Sequence, residues 1–163
     1  MRCATLVLIF MVSALSCQED LKPVEEPPAS EEIQFHIDGT LDLIRMGETL
    51  MTLDIEIADT DSLRERGMMQ RTVFPPETGM LFLFDQESVQ QFWMGNTPLS
   101  LDLIFIAADS QIVDVAKYAT PYSDDPIISR LPAQYVLEVP AGFVDNRGLV
   151  EGDRVRWTRH DQP

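Results

Sequence analysis

From Ile33 onward the apolar residues fall into short runs with a period of two, and this alternation restricts the possible folds more than any other property of the chain. In Thr52 to Ala58, Leu53, Ile55 and Ile57 alternate with Thr52, Asp54 and Glu56, the pattern of a strand with one buried face. Ile33, Phe35 and Ile37 alternate in the same way, and Asp38-Gly39 predicts a tight turn into Leu41, Leu43 and Met46. Met80 to Phe84 is apolar on both faces, which predicts a central strand. Phe92 to Ile106 reads as a hairpin-like unit turning at Asn96-Thr97-Pro98, with Asp102 among apolar neighbours. Ile112 to Ala116, Tyr135 to Val139 and Arg154 to Thr158 add strands, and Tyr118 to Pro132 is a long polar loop. The spacing predicts one helix over Thr60 to Arg71, opened by Thr60 or Ser62, with Ser62 and Glu65 at capping-box spacing; Ala141 to Gly148 reads as a helical turn. Many short strands with one short helix predict an all-β, single-domain antiparallel β-sandwich or barrel over residues 33–163.

The first 32 residues have a different character. Arg2 precedes the apolar run Ala4 to Leu15, long enough for a signal-peptide core and shorter than the roughly 20 residues of a membrane span. Its end, Ala14-Leu15-Ser16-Cys17, resembles a bacterial lipoprotein processing site with Ala14 in place of the usual Leu. Residues 1–16 are therefore expected to be removed and Cys17 to carry lipid; cleavage that leaves a free Cys17 is the alternative. Gln18 to Glu32 is acidic and contains Pro23, Pro27 and Pro28, so it buries too little to order itself and reads as a tether. The expected location is the periplasmic or extracellular side of a bacterial envelope, with the membrane as partner through lipid.

Charge and thiols narrow the chemistry. A formal charge of -15 disfavours a nucleic-acid partner. Both cysteines, Cys3 and Cys17, precede the β-rich region, which excludes disulfides, thiolate zinc and a cysteine nucleophile there. The two histidines, His36 and His160, lie in no motif, and no nucleophile elbow, metalloprotease helix, phosphate loop or calcium loop is present. No cofactor and no metal is expected.

Five segments carry a resemblance: Arg66-Gly67-Met68-Met69 with Arg71; Gly79-Met80-Leu81-Phe82; Trp93-Met94 with Asn96-Thr97; Leu101-Asp102 with Phe105; and Leu137-Glu138 with Ala141-Gly142. In this order they resemble the domain of unknown function 192 family over about Leu53 to Trp157. The resemblance implies a jelly-roll-like β-sandwich in an exported protein and names no activity. Gly95 stands where the family usually has a basic residue, Met68 where it has Leu, and Ala107 and Ser110 replace its usual Asp and turn Gly.

The residues with chemistry to offer are Arg66, Arg71, Trp93, Asn96, Asp102 and Glu138. Trp93, with Phe92 and Tyr135, could stack on a sugar or another flat ligand, with Asn96 and Asp102 supplying hydrogen bonds. Asp102 and Glu138 could instead act as acid and base on an envelope glycan, or Asp102 could only brace a turn. Met68, Met69, Met80 and Met94 offer thioethers to Cu(I), or fill a core. A small-molecule, glycan or envelope-partner binding role is favoured over catalysis, over assembly and over copper binding; the sequence leaves the oligomeric state open.

Overall fold

The computed structural model describes residues 33–160. The expected signal peptide (1–16), Cys17, the tether to residue 32 and residues 161–163 lie outside that range.

Among the described residues, nine strands form a mostly β domain: β1 (Gly39–Arg45), β2 (Glu48–Ala58), β3 (Thr78–Ser88), β4 (Gln91–Phe92), β5 (Leu101–Ile106), β6 (Ile112–Ala119), β7 (Ile127–Ile128), β8 (Ala133–Pro140) and β9 (Arg154–Arg159). Two short helices interrupt them, α1 (Asp61–Arg66) and α2 (Phe143–Arg147). Seven strands make one sheet in the order β6-β5-β8-β3-β2-β1-β9, and β4 pairs with β7 as a separate ribbon. A bridge between Gln111 and Arg154 ties the start of β6 to the start of β9, so the two ends of the sheet approach each other. The result is an open, sandwich-like arrangement, as the alternation of the sequence predicts.

Two apolar clusters lie on opposite faces of the sheet. The inner one takes Leu41, Leu43, Leu53, Ile55, Leu81, Ile104, Leu137 and Val139 from alternate strand positions. The outer one joins Met80, Phe82, Leu103, Phe105 and Val136 to Met68 and Met94 from the connections. β5, buried at every position, is an interior strand, and β3, buried on both faces from Met80 to Phe82, is the middle strand of the sheet.

One pairing within the otherwise antiparallel sheet is parallel, β2 with β3. A parallel pair needs a crossover, and here residues 59–77 supply it, carrying α1 and the segment from Gly67 to Arg71 across the outer face. Thr60 caps α1, its hydroxyl accepting from the Leu63 N–H at 3.3 Å, so the box expected between Ser62 and Glu65 is not the cap. The helix stops at Arg66, well before Arg71.

Three local expectations differ from the structure. Residues 33–38 form no strand: the His36 N–H donates to the Glu56 carboxylate, and Phe35 packs on Phe74 with ring centroids 5.6 Å apart. The first hairpin turns at Met46-Gly47 rather than Asp38-Gly39, with φ of 51° and 87°, the positive pair a two-residue hairpin turn prefers. Phe92 pairs with Ile127, not with β5, whose partners are β6 and β8. The stretch from Trp93 to Ser100 is thereby free to fold over the outer face as an irregular connection.

Candidate functional site

Register places Glu56 beside Met80, Met80 beside Glu138 and Glu138 beside Leu103, a row of side chains across β2, β3, β8 and β5 on the outer face. Two acids in this row are buried, Glu56 at 7% and Glu138 at 5% exposure, although strand alternation alone would place Glu56 in solvent. The crossover is the reason, since it lays Arg71 over Glu56. The Arg71 guanidinium donates to both carboxylate oxygens of Glu56, at 2.7 and 2.5 Å, and sits 5.6 Å from the Phe35 ring centroid. A fork-to-fork pair of this kind is directional and charge-assisted.

Glu138 has no such partner. Its Oε2 is a buried side-chain atom without a hydrogen bond, and the other such atom among the described residues is Arg71 Nε. Burial pushes the Glu138 carboxyl up to about 8, against the opposing pull of the Arg71 charge. A carboxyl so placed holds its proton in neutral solution and can donate a hydrogen bond.

The Glu138 side chain lines a cavity of about 40 Å³, together with the last turn of α1, Met68, Met69, Phe82, Phe92, Trp93 and Thr97. A wider cleft of about 460 Å³ adjoins it through shared Glu65, Arg66, Met69 and Trp93 and adds Ser62, Gln70 and Asn96. Trp93 is 52% exposed at this mouth. Its ring lies over Gly95: a Cβ there would stand 2.7 Å from Cζ3 and 2.9 Å from Cε3, so the bare glycine backbone admits the ring. Asn96 takes a φ of 55°, and its carbonyl accepts from the Gln70 N–H at 2.8 Å, which ties this loop to the crossover.

Of the six residues singled out in the sequence, Arg66, Trp93 and Glu138 line one cavity, and Asn96 joins Arg66 and Trp93 in the adjoining cleft. Arg71 stands behind, committed to Glu56. Asp102 is elsewhere. It pairs in register with Val139 and not Glu138, so the two acids point to opposite faces of the sheet. Fully buried, Asp102 accepts from the Tyr118 N–H at 2.8 Å and the Val144 N–H at 3.0 Å, bracing the end of β6 and the start of α2. A catalytic pair of Asp102 and Glu138 is not assembled. Met68, Met80 and Met94 are buried in the outer cluster, packed as core. Phe82 and Thr97 lie in segments that carry the resemblance but were not among the candidate site residues, and Glu56 was missed because nothing local marks a strand residue as lying under a crossover.

The raised Glu138 carboxyl makes a stability prediction. Its folded pKa of about 8 exceeds the ordinary 4.5, so the folded state holds more protons than the unfolded state between those values. Stability is therefore expected to fall as pH rises through that window. Chemical denaturation of Glu138→Gln at several pH values should remove this part of the slope; an unchanged slope in the variant would assign it to other groups.

The cavity gathers residues from four of the five segments that carry the family resemblance: Arg66, Gly67, Met68 and Met69; Phe82; Trp93 and Thr97; and Glu138. Comparison with known proteins agrees with that resemblance. A UPF0127 protein of Thermococcus sibiricus is 29% identical over 111 residues, covering 63% of this chain and 65% of its own length. A UPF0127 protein of Pyrococcus furiosus is 26% identical over 112 residues, covering 66% and 89%. Among solved structures, a Sinorhizobium meliloti protein provisionally named a transcription regulator matches with a TM-score of 0.71 and 39% identity, over 77% of this chain and 97% of that one. A Novosphingobium aromaticivorans protein of unknown function matches at 0.69 and 31%, over 72% and 84%. The family model described as DUF192, uncharacterized ACR, matches residues 43–157, and the chain belongs to that family.

Proposed function

We propose that this chain is an exported, lipid-anchored envelope domain that binds a small ligand in the cavity beside Trp93. The observation that carries the binding reading is Glu138, a buried carboxyl without a partner at a cavity walled by aromatic and thioether side chains. A buried polar group left unpaired costs on the order of 1–3 kcal/mol, and a ligand that satisfies it recovers that cost on binding. The apolar run before Cys17 supports export and anchoring; globomycin-sensitive processing or palmitate labelling of Cys17 tests them, and the absence of both overturns the lipoprotein part.

The Sinorhizobium protein's name offers gene regulation as a second reading, but the formal charge of -15 opposes a DNA surface. The binding reading is tested by tryptophan emission across a panel of metabolites and glycans. A saturable change is expected for the native chain, and titration calorimetry with the responding compound should show Trp93→Ala weakening binding about tenfold through loss of a stacked ring. A flat response across the panel would remove the reading. Trp157, on β9, serves as the internal reference because it packs against the opposite, inner cluster.

A further inference from the structure

The cavity's polar groups also bear on what kind of ligand it suits, an inference that rests on the binding reading above. Its potential donors are mostly committed. Arg64 donates to the Asp59 and Leu83 carbonyls and to the Asp61 carboxylate, and its guanidinium lies 5.5 Å from the Phe84 ring centroid. The Gly67 N–H turns back to the Leu63 carbonyl, and the Thr97 hydroxyl donates to the Gly95 carbonyl. Arg71, the cation behind Glu138, is matched by Glu56. What remains is the unpartnered Glu138 carboxyl, surrounded by ring and thioether surface, with Glu65 and Arg66 where the cavity meets the wider cleft. Phe82 and Phe92 meet edge to face at 5.1 Å, and Trp93, Met68 and Met69 complete the wall. Aromatic faces attract cations most strongly where water is excluded.

We propose that this cavity receives a small organic ammonium headgroup, with Glu138 as its counter-ion, Phe82, Phe92 and Trp93 as its aromatic walls, and the adjoining cleft holding the rest of the ligand. A volume of about 40 Å³ suits a headgroup and excludes a ring, while about 460 Å³ beside it leaves room for a chain. Arg66 stands at the junction of the two spaces, where it would meet an anionic group further along the ligand.

The ammonium ion enters with its charge, and Glu138 loses its proton to solvent as the pair forms. Charge balances: a neutral acid and a cation become an ion pair plus a free proton. The other charged groups facing Glu138 are the Glu56–Arg71 pair from β2 and the crossover, and Arg64, Glu65 and Arg66 from α1. The proton released is assigned to Glu138, the buried carboxyl among them left without a hydrogen-bond partner.

The test uses the full chain and three probes of similar shape: butylammonium, butanol and pentanoate. Titration calorimetry at pH 7 in two buffers of different ionisation enthalpy should give saturable binding of butylammonium with release of about one proton. Affinity should rise with pH up to about 8. Glu138→Gln should weaken butylammonium at least tenfold and abolish proton release. The proton count on the native chain is an independent measurement should that variant fold poorly. Equal or tighter binding of butanol or pentanoate, or binding of butylammonium without proton release, overturns the cation assignment and leaves the binding reading standing. No saturable response to any of the three, with no emission change at Trp93, overturns both.

Discussion

Replacing Asp102 by alanine is expected to lower the unfolding free energy by about 3–5 kcal/mol, one of the two largest single losses in this domain. Both carboxylate oxygens are engaged, one by the Tyr118 N–H and the other by the Val144 N–H, and the residue is fully buried. Alanine would leave two backbone donors dry and unpaired, each costing about 1–3 kcal/mol, and open a small void between β5 and α2. Tyr118 makes the loss worse. Its φ is 56°, an uncommon value for a residue with a side chain, and the bond to Asp102 holds that N–H in place. Asparagine retains one acceptor and should lose about half as much. Urea denaturation checks this: the midpoint should fall with the slope unchanged. A loss under about 1 kcal/mol would mean that water reaches both amides. Ligand response at Trp93 should persist in whatever fraction stays folded, because Asp102 serves the other face of the sheet.

Arg71→Ala is the second. The Arg71–Glu56 pair is buried on both sides, with side-chain exposures of 5% and 10%, and removing one partner of a buried ion pair costs about 3–5 kcal/mol. The cost lies mainly in what is left behind, since Glu56 would keep the His36 N–H but lose both bonds from the guanidinium. A double replacement, Glu56→Met with Arg71→Met, should recover most of the loss, because two apolar groups of similar volume leave no stranded charge. If the double variant is as unstable as Arg71→Ala, the pair's role is one of shape rather than charge. The same substitution should also push the Glu138 carboxyl further up, since the Arg71 charge is what opposes its burial. The fall in stability would then begin at the same pH as in the parent but continue to a higher one, which separates the electrostatic effect from simple loss of packing.

The architecture was legible wherever one residue's neighbours decide its fate. Alternation along Leu53, Ile55 and Ile57 gave the buried face of β2, and the two-sided run from Met80 to Phe82 gave a central strand. Ile33 to Ile37 has the same period and is no strand, because alternation says nothing about whether a partner edge lies alongside; the His36 N–H found a carboxylate instead. The candidate site divides the same way. Trp93 and Arg66 could be picked out by type, and both reach the cavity. Asp102 could be picked out as an acid among apolar residues, but the groups that occupy it lie 16 and 42 positions away in sequence. Glu56 and Glu138 both occupy strand positions, and only the crossover between β2 and β3 separates a paired acid from a lone one.

The pairing of β1 with β9 also sets an order of events. Gly39 meets Arg159 and Leu43 meets Val155, so the first long strand of the described domain finds one neighbour only when the last has been made. Contacts this distant in sequence are slow to form. Until β9 arrives, β1 presents an unpaired row of backbone groups to any strand nearby. A chain that stops before Arg154 would thus be left with an open seam, and the native domain completes itself only once its C-terminal end is free to fold back.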